Sequence, residues 1–219
     1  MYETILVIAA NALAVANSCA GTIARYSKEG ARVYVILLKD VEQRKFFTST
    51  LTELLHGVYI EEWHCKNESF LLSHDIHEKL ACTIRTLRPD CIITHAKKDS
   101  DYNDVTQLTL TSYAIATAAG VYCNGLPVAA RQTPMFCMEP MGLDSCSFTP
   151  DIFIDITTTK EEKQAIMKKI YIDDAQILKS KERDALHAKI ARQNGRSRCE
   201  YAEAYSMVTP ICVHNAFIW

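Results

Sequence analysis

A strand–helix–strand pattern at the start of the chain constrains its fold more than any other feature. Residues Thr4–Ala9 form a short apolar run that predicts a buried strand, and the β-branched run Arg32–Leu38 predicts another. Between them we predict a helix that Asn17 or Ser18 can cap and that stops at Gly30. Such a unit is typical of neighbouring parallel strands joined by a right-handed crossover.

The same alternation continues through the 219 residues. Further helices are predicted over 41–55, 73–87, 105–119, 160–181 and 184–193, and further strands over 58–63, 91–94, 133–138 and 151–156. The sequence contains no internal repeat, low-complexity segment or linker. We therefore predict one α/β domain spanning 1–219, with a Rossmann-like, mostly parallel sheet and helices on both faces.

Composition limits the partners and the compartment of the chain. The net charge is −2, the pI is about 6.4 and no run of five or more basic residues occurs, so neither a nucleic-acid nor a membrane partner is expected. No apolar stretch approaches the roughly 18 residues of a membrane span, and the N-terminus lacks the pattern of a signal peptide. We expect a cytoplasmic protein whose nine cysteines, which contain no C-x-x-C pair, are reduced thiols rather than zinc ligands.

Two segments are predicted to lie where an open α/β sheet binds its ligands, beyond the carboxyl ends of the strands. One is the segment after the first strand, 10–18, which we interpret as a loop. The other is the polar segment His95–Asp104 after the fourth predicted strand. The segment 10–18 contains no ionisable side chain between Asn11 and Ala16, which is unusual for a catalytic loop.

Four blocks of the sequence, in order, carry a resemblance to a known family. They are Ile5–Ala10 with Ser18–Ala24, Arg88–His95 with Asp99, Pro150–Thr157, and Tyr201–Tyr205. They resemble four motifs of the LmbE/PIG-L family of zinc-dependent de-N-acetylases: A-H-P-D-D-x-E then G-G-T, R-P-D-x-(apolar)-T-H, P-D-x-x-x-D-I-T, and Y-A-E-A-F. The resemblance covers most of the chain and implies the family's α/β fold.

In that family two histidines and an aspartate hold a zinc ion whose bound water is activated beside a general-base aspartate. The first histidine, the proline, the base, the zinc aspartate and the glutamate of the first motif fall on Asn11, Ala12, Leu13, Ala14 and Ala16. In the second loop, D-x-H-x-D-H falls on Asp99, Asp101, Asn103 and Asp104, with Asp101 replacing the carbonyl-polarising histidine and Asp104 the third ligand. Because hydrocarbons cannot bind zinc or move a proton, the resemblance implies the fold without the zinc chemistry, and we expect no zinc cofactor.

Several residues remain candidates for other roles. Asp99, Asp101 and Asp104 have part of the rhythm of a calcium or magnesium loop, although the ligand set is incomplete. His95, at a strand end facing the family's site, is predicted to be structural or, alternatively, catalytic. Cys19 at a predicted helix start is predicted to be a packed thiol or, alternatively, a nucleophile. Arg198, in a locally basic stretch, is either a solvated residue or a ligand for an anionic sugar or phosphate.

Two functions follow as expectations. The first is a degenerate, non-catalytic homologue that binds a sugar or nucleotide-sugar through Asn11, Asp99, Asp101, Asp104 and Arg198, or that is the structural partner of an active subunit. The resemblance then implies homo- or hetero-oligomers, for which the apolar end 217–219 suits an interface. The alternative is a hydrolase-like enzyme with zinc-independent chemistry on a carbohydrate-type substrate, using the loop Asp99–Asp104.

Overall fold

The computed structural model describes residues 2–39, 46–65, 71, 73–97, 102–129, 133–140, 148–170, 174–193 and 198–208. Within these ranges the chain forms seven strands and seven helices. In chain order they are β1 (Thr4–Ala9), α1 (Ala12–Ser18), α2 (Ala20–Lys28), β2 (Arg32–Lys39), α3 (Phe46–Leu54), β3 (Val58–Cys65), α4 (His74–Leu87), β4 (Cys91–His95), α5 (Asn103–Thr117), β5 (Met135–Met138), β6 (Ile152–Asp155), α6 (Lys160–Ile170), α7 (Asp174–Gln193) and β7 (Ala202–Met207).

The strands form one sheet in the order β3-β2-β1-β4-β5-β7-β6. Strands β1 to β5 pair in parallel, whereas β7 runs antiparallel to both β5 and β6. The chain leaves β1 toward β2 on one side and reaches β4 on the other, so the strand order reverses between β1 and β4. This arrangement confirms the predicted mostly parallel α/β sheet. In open sheets of this kind the reversal of strand order marks the crevice in which ligands bind, and here the reversal lies at the carboxyl ends of β1 and β4.

Helices cover both faces of the sheet, as predicted. On one face, α1, α2, α3 and α6 pack on alternate residues of β1, β2 and β4, such as Val7, Val35 and Ile93. On the other face, α4 and α5 pack on the intervening residues, such as Leu6 and Ile92. Strands buried on both faces read as continuous apolar runs, which explains why β1 was recognisable from the sequence.

The segment after β1 differs from its prediction, because it is helix α1 and not a loop. Asn11 takes an extended conformation, and its side chain caps the helix. The residues that follow are mostly alanine, with one leucine, and both types favour a helix; almost all of the segment is buried against the core. The helix predicted to begin at Asn17 or Ser18 is a separate one, α2, that starts at Ala20.

The C-terminal third also differs in its boundaries. The sequence predicted a long helix over 160–181, with the pair Asp173-Asp174 as an alternative break point, and a separate helix from Asp184 to Gln193. In the structure α6 ends at Ile170, and α7 begins at Asp174 and continues without interruption to Gln193. Asp184 lies in the middle of α7, where it is buried and its carboxylate faces Lys163. Strand β7 was not predicted. Among the helices of the described ranges, none is both long and apolar enough to cross a membrane.

Candidate active site at the carboxyl edge of the sheet

His95 joins the ends of the two strands at which the strand order reverses. The backbone N–H of Ala10, just after β1, donates to Nε2 of His95 at 2.9 Å. An Nε2 that accepts a hydrogen bond carries no proton, so the ring proton lies on Nδ1. The ring is buried and contacts Tyr102, with 4.6 Å between ring centroids, while Thr106 donates to the carbonyl of His95. His95 therefore links the end of β4 to the end of β1 and is itself held by α5.

Asn11 lies beside His95, and both atoms of its amide have partners. Its oxygen accepts from the backbone N–H of Ala14 at 3.0 Å, and its nitrogen donates to the hydroxyl of Tyr102 at 3.3 Å. An N-cap of this kind satisfies one of the N–H groups that a helix leaves without an internal partner. Asn11, at the family's first ligand position, thus stabilises the start of α1.

Lys39 and Asp104 form an ion pair at the same edge of the sheet. Lys39 is the last residue of β2 and Asp104 lies in the first turn of α5, with 2.7 Å between Nζ and Oδ2. The two side chains are 28% and 16% exposed, so the pair is reachable from solvent. The Lys39 ammonium also lies 5.5 Å from the ring centroid of Tyr102, within the range of a cation–π contact.

The zinc implied by the family resemblance does not fit the residues found here. Leu13 and Ala14 offer hydrocarbon, Asn11 uses both amide atoms, and Asp104 pairs with Lys39. The described ranges contain no group of three or more His, Cys, Asp or Glu side chains able to hold a metal ion. Asp99 and Asp101 lie outside the described residues, so a calcium or magnesium site that includes them stays a prediction.

Cys19 and Arg198 occupy different surroundings. Cys19 is fully buried where α1 meets α2, and burial, reinforced by Glu203 and opposed by Lys163, raises the pKa of its thiol well above its usual value. A protonated, enclosed thiol is in the opposite condition to an activated nucleophile. Arg198 is exposed in the segment that leads into β7.

A further polar cluster at the same edge was missed by the sequence analysis. Glu139 follows β5 directly, and its carboxylate lies 3.2 Å from Arg183 Nε and 3.4 Å from His187 Nε2. Arg183 also donates to the backbone carbonyl of Asn17, and the Ser18 hydroxyl donates to the carbonyl of Glu139 at 2.9 Å. The signals were present, since Glu139 ends a strand and Arg183 and His187 are four residues apart on one helix face.

Behind this cluster, Lys163 is buried between two carboxylates, with 2.8 Å from Nζ to Asp184 and 2.8 Å to Glu203. Glu203 also accepts the backbone N–H groups of Gly21 and Thr22 at the start of α2, at 3.0 and 2.8 Å. Burial opposes ionisation of Glu203, but Lys163 and the bonds from Thr22 outweigh it and hold its pKa below the usual value. Burial and Glu203 together raise the pKa of Asp184 despite Lys163.

Comparison with known proteins identifies the fold of this chain. No protein-family model matches the sequence. The chain nevertheless has the fold shared by a hydratase and several deacetylases, and these structures span nearly all of it.

One relative in sequence and two solved structures illustrate this similarity. In sequence, the chain is 23% identical over 189 residues to 4-oxalmesaconate hydratase of Pseudomonas putida KT2440, covering 76% of this chain and 72% of the relative. The crystal structure of GalB, the 4-carboxy-2-hydroxymuconate hydratase of the same organism, superposes with a TM-score of 0.83 at 20% identity and covers 97% of this chain and 99% of that one. The N,N'-diacetylchitobiose deacetylase of Pyrococcus horikoshii gives a TM-score of 0.67 at 17% identity, covering 94% and 84%.

At these identities the likeness establishes the fold, and it confirms the LmbE/PIG-L-like architecture predicted from the four motifs. The named relatives are a hydratase and deacetylases, which are enzymes. The non-catalytic role predicted first from the sequence therefore gains no support from these comparisons, and the alternative enzymatic reading is closer to them.

Proposed function

We propose that the chain is an enzyme that adds water to a polar, carbohydrate-type or carboxylate-bearing substrate at the carboxyl edge of the sheet, by chemistry that does not use a zinc ion. Hydration and deacetylation, the reactions named for its structural relatives, both add the elements of water to a polarised carbon. That shared chemistry supports a hydratase- or hydrolase-type reaction. The replacement of the family's ligand positions by Asn11, Leu13 and Ala14 supports a different source of polarisation.

The ion pair between Lys39 and Asp104 is the observation that carries this proposal. It lies at the family's third ligand position, and it is partly exposed where His95 and Asn11 are buried. An ammonium group held by a carboxylate is a fixed positive charge that can stabilise negative charge developing on a substrate oxygen. In the family zinc provides this polarisation, and here Lys39, positioned by Asp104, replaces it.

The proposal is tested by assaying turnover of protein dialysed against a chelator. The panel contains N-acetylated sugars, for hydrolysis, and unsaturated carboxylic acids, for hydration. Lys39→Met and Asp104→Asn are expected to lower kcat by about 100-fold or more, which is the usual effect of removing one preorganised electrostatic group. Because the pair is partly exposed, its loss changes the free energy of unfolding by no more than about 1 kcal/mol.

A matched control is Glu61→Gln, which breaks the exposed ion pair between Glu61 and Lys79 on the sheet's outer edge and leaves turnover unchanged. Wild-type activity in Asp104→Asn would exclude the proposed role of the pair. Activity that appears only after zinc is added back would contradict zinc-independent chemistry.

One observation favours the second function, a non-catalytic protein that binds a sugar or nucleotide-sugar or supports an active homologous subunit. His95 and Asn11 are buried at the ends of β4 and β1, and both contact Tyr102. A site without buried charge can close in this way without an unpaired ion. Absence of turnover across the panel, together with saturable sugar binding in calorimetry or a defined oligomer in light scattering, would select this function instead.

A further inference from the structure

Two cysteine thiols meet where helix α4 contacts the segment that follows α5. Cys82 lies on α4 and Cys123 lies beyond the end of α5, and a hydrogen bond links their thiols. Both are free cysteines, and both pack in the apolar cluster on this face of the sheet. Two sulfurs at hydrogen-bond distance can be joined with only a small movement of their side chains.

The backbone fixes the position of Cys123. The N–H of Leu126 donates to the carbonyl of Cys123 at 2.8 Å, and the two central residues, Asn124 and Gly125, have φ values of +48° and +72°. A turn with positive φ at both central positions is of type I′, for which Asn-Gly is a preferred pair. Cys123 is 1% exposed at the start of this turn. The local sequence therefore specifies the conformation that presents its thiol.

Arg85 holds the same segment on α4. It lies three residues after Cys82, so the two side chains share one face of the helix. The buried guanidinium donates from Nη1 to the carbonyl of Leu126 at 3.3 Å and from Nη2 to that of Ala118 at 2.9 Å. Both ends of the segment 118–126 are thus fixed to the helix face that carries Cys82.

The two thiols differ in their access to solvent. Cys82 is partly exposed and lines an open groove of about 590 Å³, together with Asn124 and Leu126 of the turn. Cys123 is buried behind it. A solute in the groove therefore reaches the sulfur of Cys82, and the sulfur of Cys82 in turn lies beside that of Cys123.

We propose that Cys82 and Cys123 form an oxidation site that reacts with a small disulfide-bearing solute and closes into a disulfide bond. The thiolate of Cys82 attacks one sulfur of the solute, whose S–S bond breaks, and the released thiolate takes up the proton that Cys82 lost. Cys123 then gives up its proton and attacks the sulfur of Cys82, and the second solute thiolate leaves with that proton. Two protein thiols are oxidised, and one small disulfide is reduced to two thiols.

The surroundings of Cys82 determine the rate of the first step. Burial, then the hydrogen bond and charge of Cys123, and then Glu78 raise the pKa of Cys82, whereas Arg85 lowers it. Four charged side chains of α4 adjoin this thiol or line its groove: Asp75, Glu78, Lys79 and Arg85. Since the thiolate is the nucleophile, the exchange is slow at pH 7 and accelerates about tenfold for each pH unit below that pKa. The second step is fast, because Cys123 is already in position.

The test treats wild-type protein with cystamine at pH 7 and pH 8, alkylates the remaining thiols and maps the peptides by mass spectrometry. We expect a Cys82–Cys123 linked peptide as the main product, formed faster at pH 8 and reversed by dithiothreitol. Cys82→Ser abolishes the link. The control is Cys65→Ser, which keeps the link, because Cys65 is also partly exposed but has no thiol in contact among the described residues.

A second measurement uses wild-type protein without substitution at the buried position. The new bond closes the chain from residue 82 to residue 123, so cystamine treatment is expected to raise the midpoint of thermal unfolding by about 5–10 °C. Treated Cys82→Ser shows no such rise. Cystamine left attached to Cys82 in wild type without closure, or a midpoint that treatment does not raise, would overturn the inference. Neither outcome bears on the water-addition reaction, since these cysteines lie outside its proposed site.

Discussion

The backbone N–H of Ala14 donates a 3.0 Å hydrogen bond to the side-chain oxygen of Asn11. In the family that the sequence resembles, both positions belong to zinc ligands. Here the same two residues close the first turn of α1, so the segment that would bind a metal is part of the hydrophobic core. Changing one cap residue therefore tests whether the former ligand position now contributes to stability.

Asn11→Ala is expected to lower the free energy of unfolding by about 1 kcal/mol, the usual effect of losing an N-cap. Asn11→Asp keeps an acceptor for Ala14 and adds a negative charge at the helix N-terminus, so it preserves most of the stability. Urea unfolding followed by circular dichroism measures both variants. Equal stability of Asn11→Ala and wild type would show that the cap does not support α1.

Lys163 is expected to contribute far more, because it lies 2% exposed between two carboxylates. Lys163→Met leaves Asp184 and Glu203 buried without their cation, which typically costs about 3–5 kcal/mol. The matched control is Lys169→Met on the same helix, whose partner Glu53 is exposed and whose loss changes stability by no more than about 0.5 kcal/mol. Similar losses in the two variants would contradict the importance of the buried cluster.

The cost of Lys163→Met is also expected to depend on pH. In wild type the pKa of Glu203 is lowered, so its contribution to stability is present above its unfolded value of about 4.3 and is lost as the pH falls through the lower folded value. Without Lys163, burial raises this pKa and the carboxyl gains a proton more readily in the folded state. The stability difference between variant and wild type therefore narrows as the pH falls from 7 toward 4, and a difference that widened would refute this account.

The parts of the structure that could be predicted are those determined by residues close together in the sequence. Strand β1 is a continuous apolar run and was placed at its observed residues, and Gly30, with a φ of +93°, ends the second helical segment as expected. The buried side of α7 could not be predicted, because Asp184 and His187 resemble surface residues unless their partners are known. Those partners, Lys163, Glu203 and Glu139, are distant in sequence, and only the packing of α6, α7 and β7 brings them together.

In the candidate site, too, local sequence signals were recognised and contacts between distant residues were not. The sequence placed the site beyond the carboxyl ends of the first and fourth strands, and His95 and Asp104 lie at that edge in the structure. The partner of Asp104, Lys39, was not recognised because a lysine at a strand end carries no distinctive signal. The helical conformation of the first ligand segment was missed because the family motif indicated a loop, whereas its alanine-rich composition favours a helix.

Buried cysteines are expected to weaken the fold in alkali. Burial, with Asp90, raises the pKa of Cys91 to about 12, and burial, opposed by Lys97, raises that of Cys137 to about 12. Each thiol stays protonated in the folded chain but ionises above about pH 8.5 once unfolded, so stability is full below that value and declines as the pH rises. The slope is about 1.4 kcal/mol per pH unit for each group.

Cys91→Ala removes one of these groups, so its stability falls less steeply than that of wild type between pH 8.5 and 11. Urea unfolding at several pH values gives the two slopes. The absolute stability of the variant is lower at pH 7, because a buried side chain has been shortened, and only the slope bears on the prediction. Parallel curves for variant and wild type would show that the Cys91 thiol does not differ between the folded and unfolded states.

Gly21 is expected to tolerate no side chain, because a Cβ there would lie 2.8 Å from Cδ1 and 3.0 Å from Cβ of Ile156, which is fully buried. Alanine favours a helix by about 1 kcal/mol over glycine, but overpacking a closed core costs about 1–3 kcal/mol, so Gly21→Ala is expected to be destabilising. Gly120→Ala is the control, since nothing lies within 4 Å of the added atom. In an Ile156→Ala background, thermal unfolding should show a smaller loss from Gly21→Ala, because the double variant removes most of the clash. Additive effects of the two substitutions would mean that Ile156 does not limit the approach of α2 to the segment after β6.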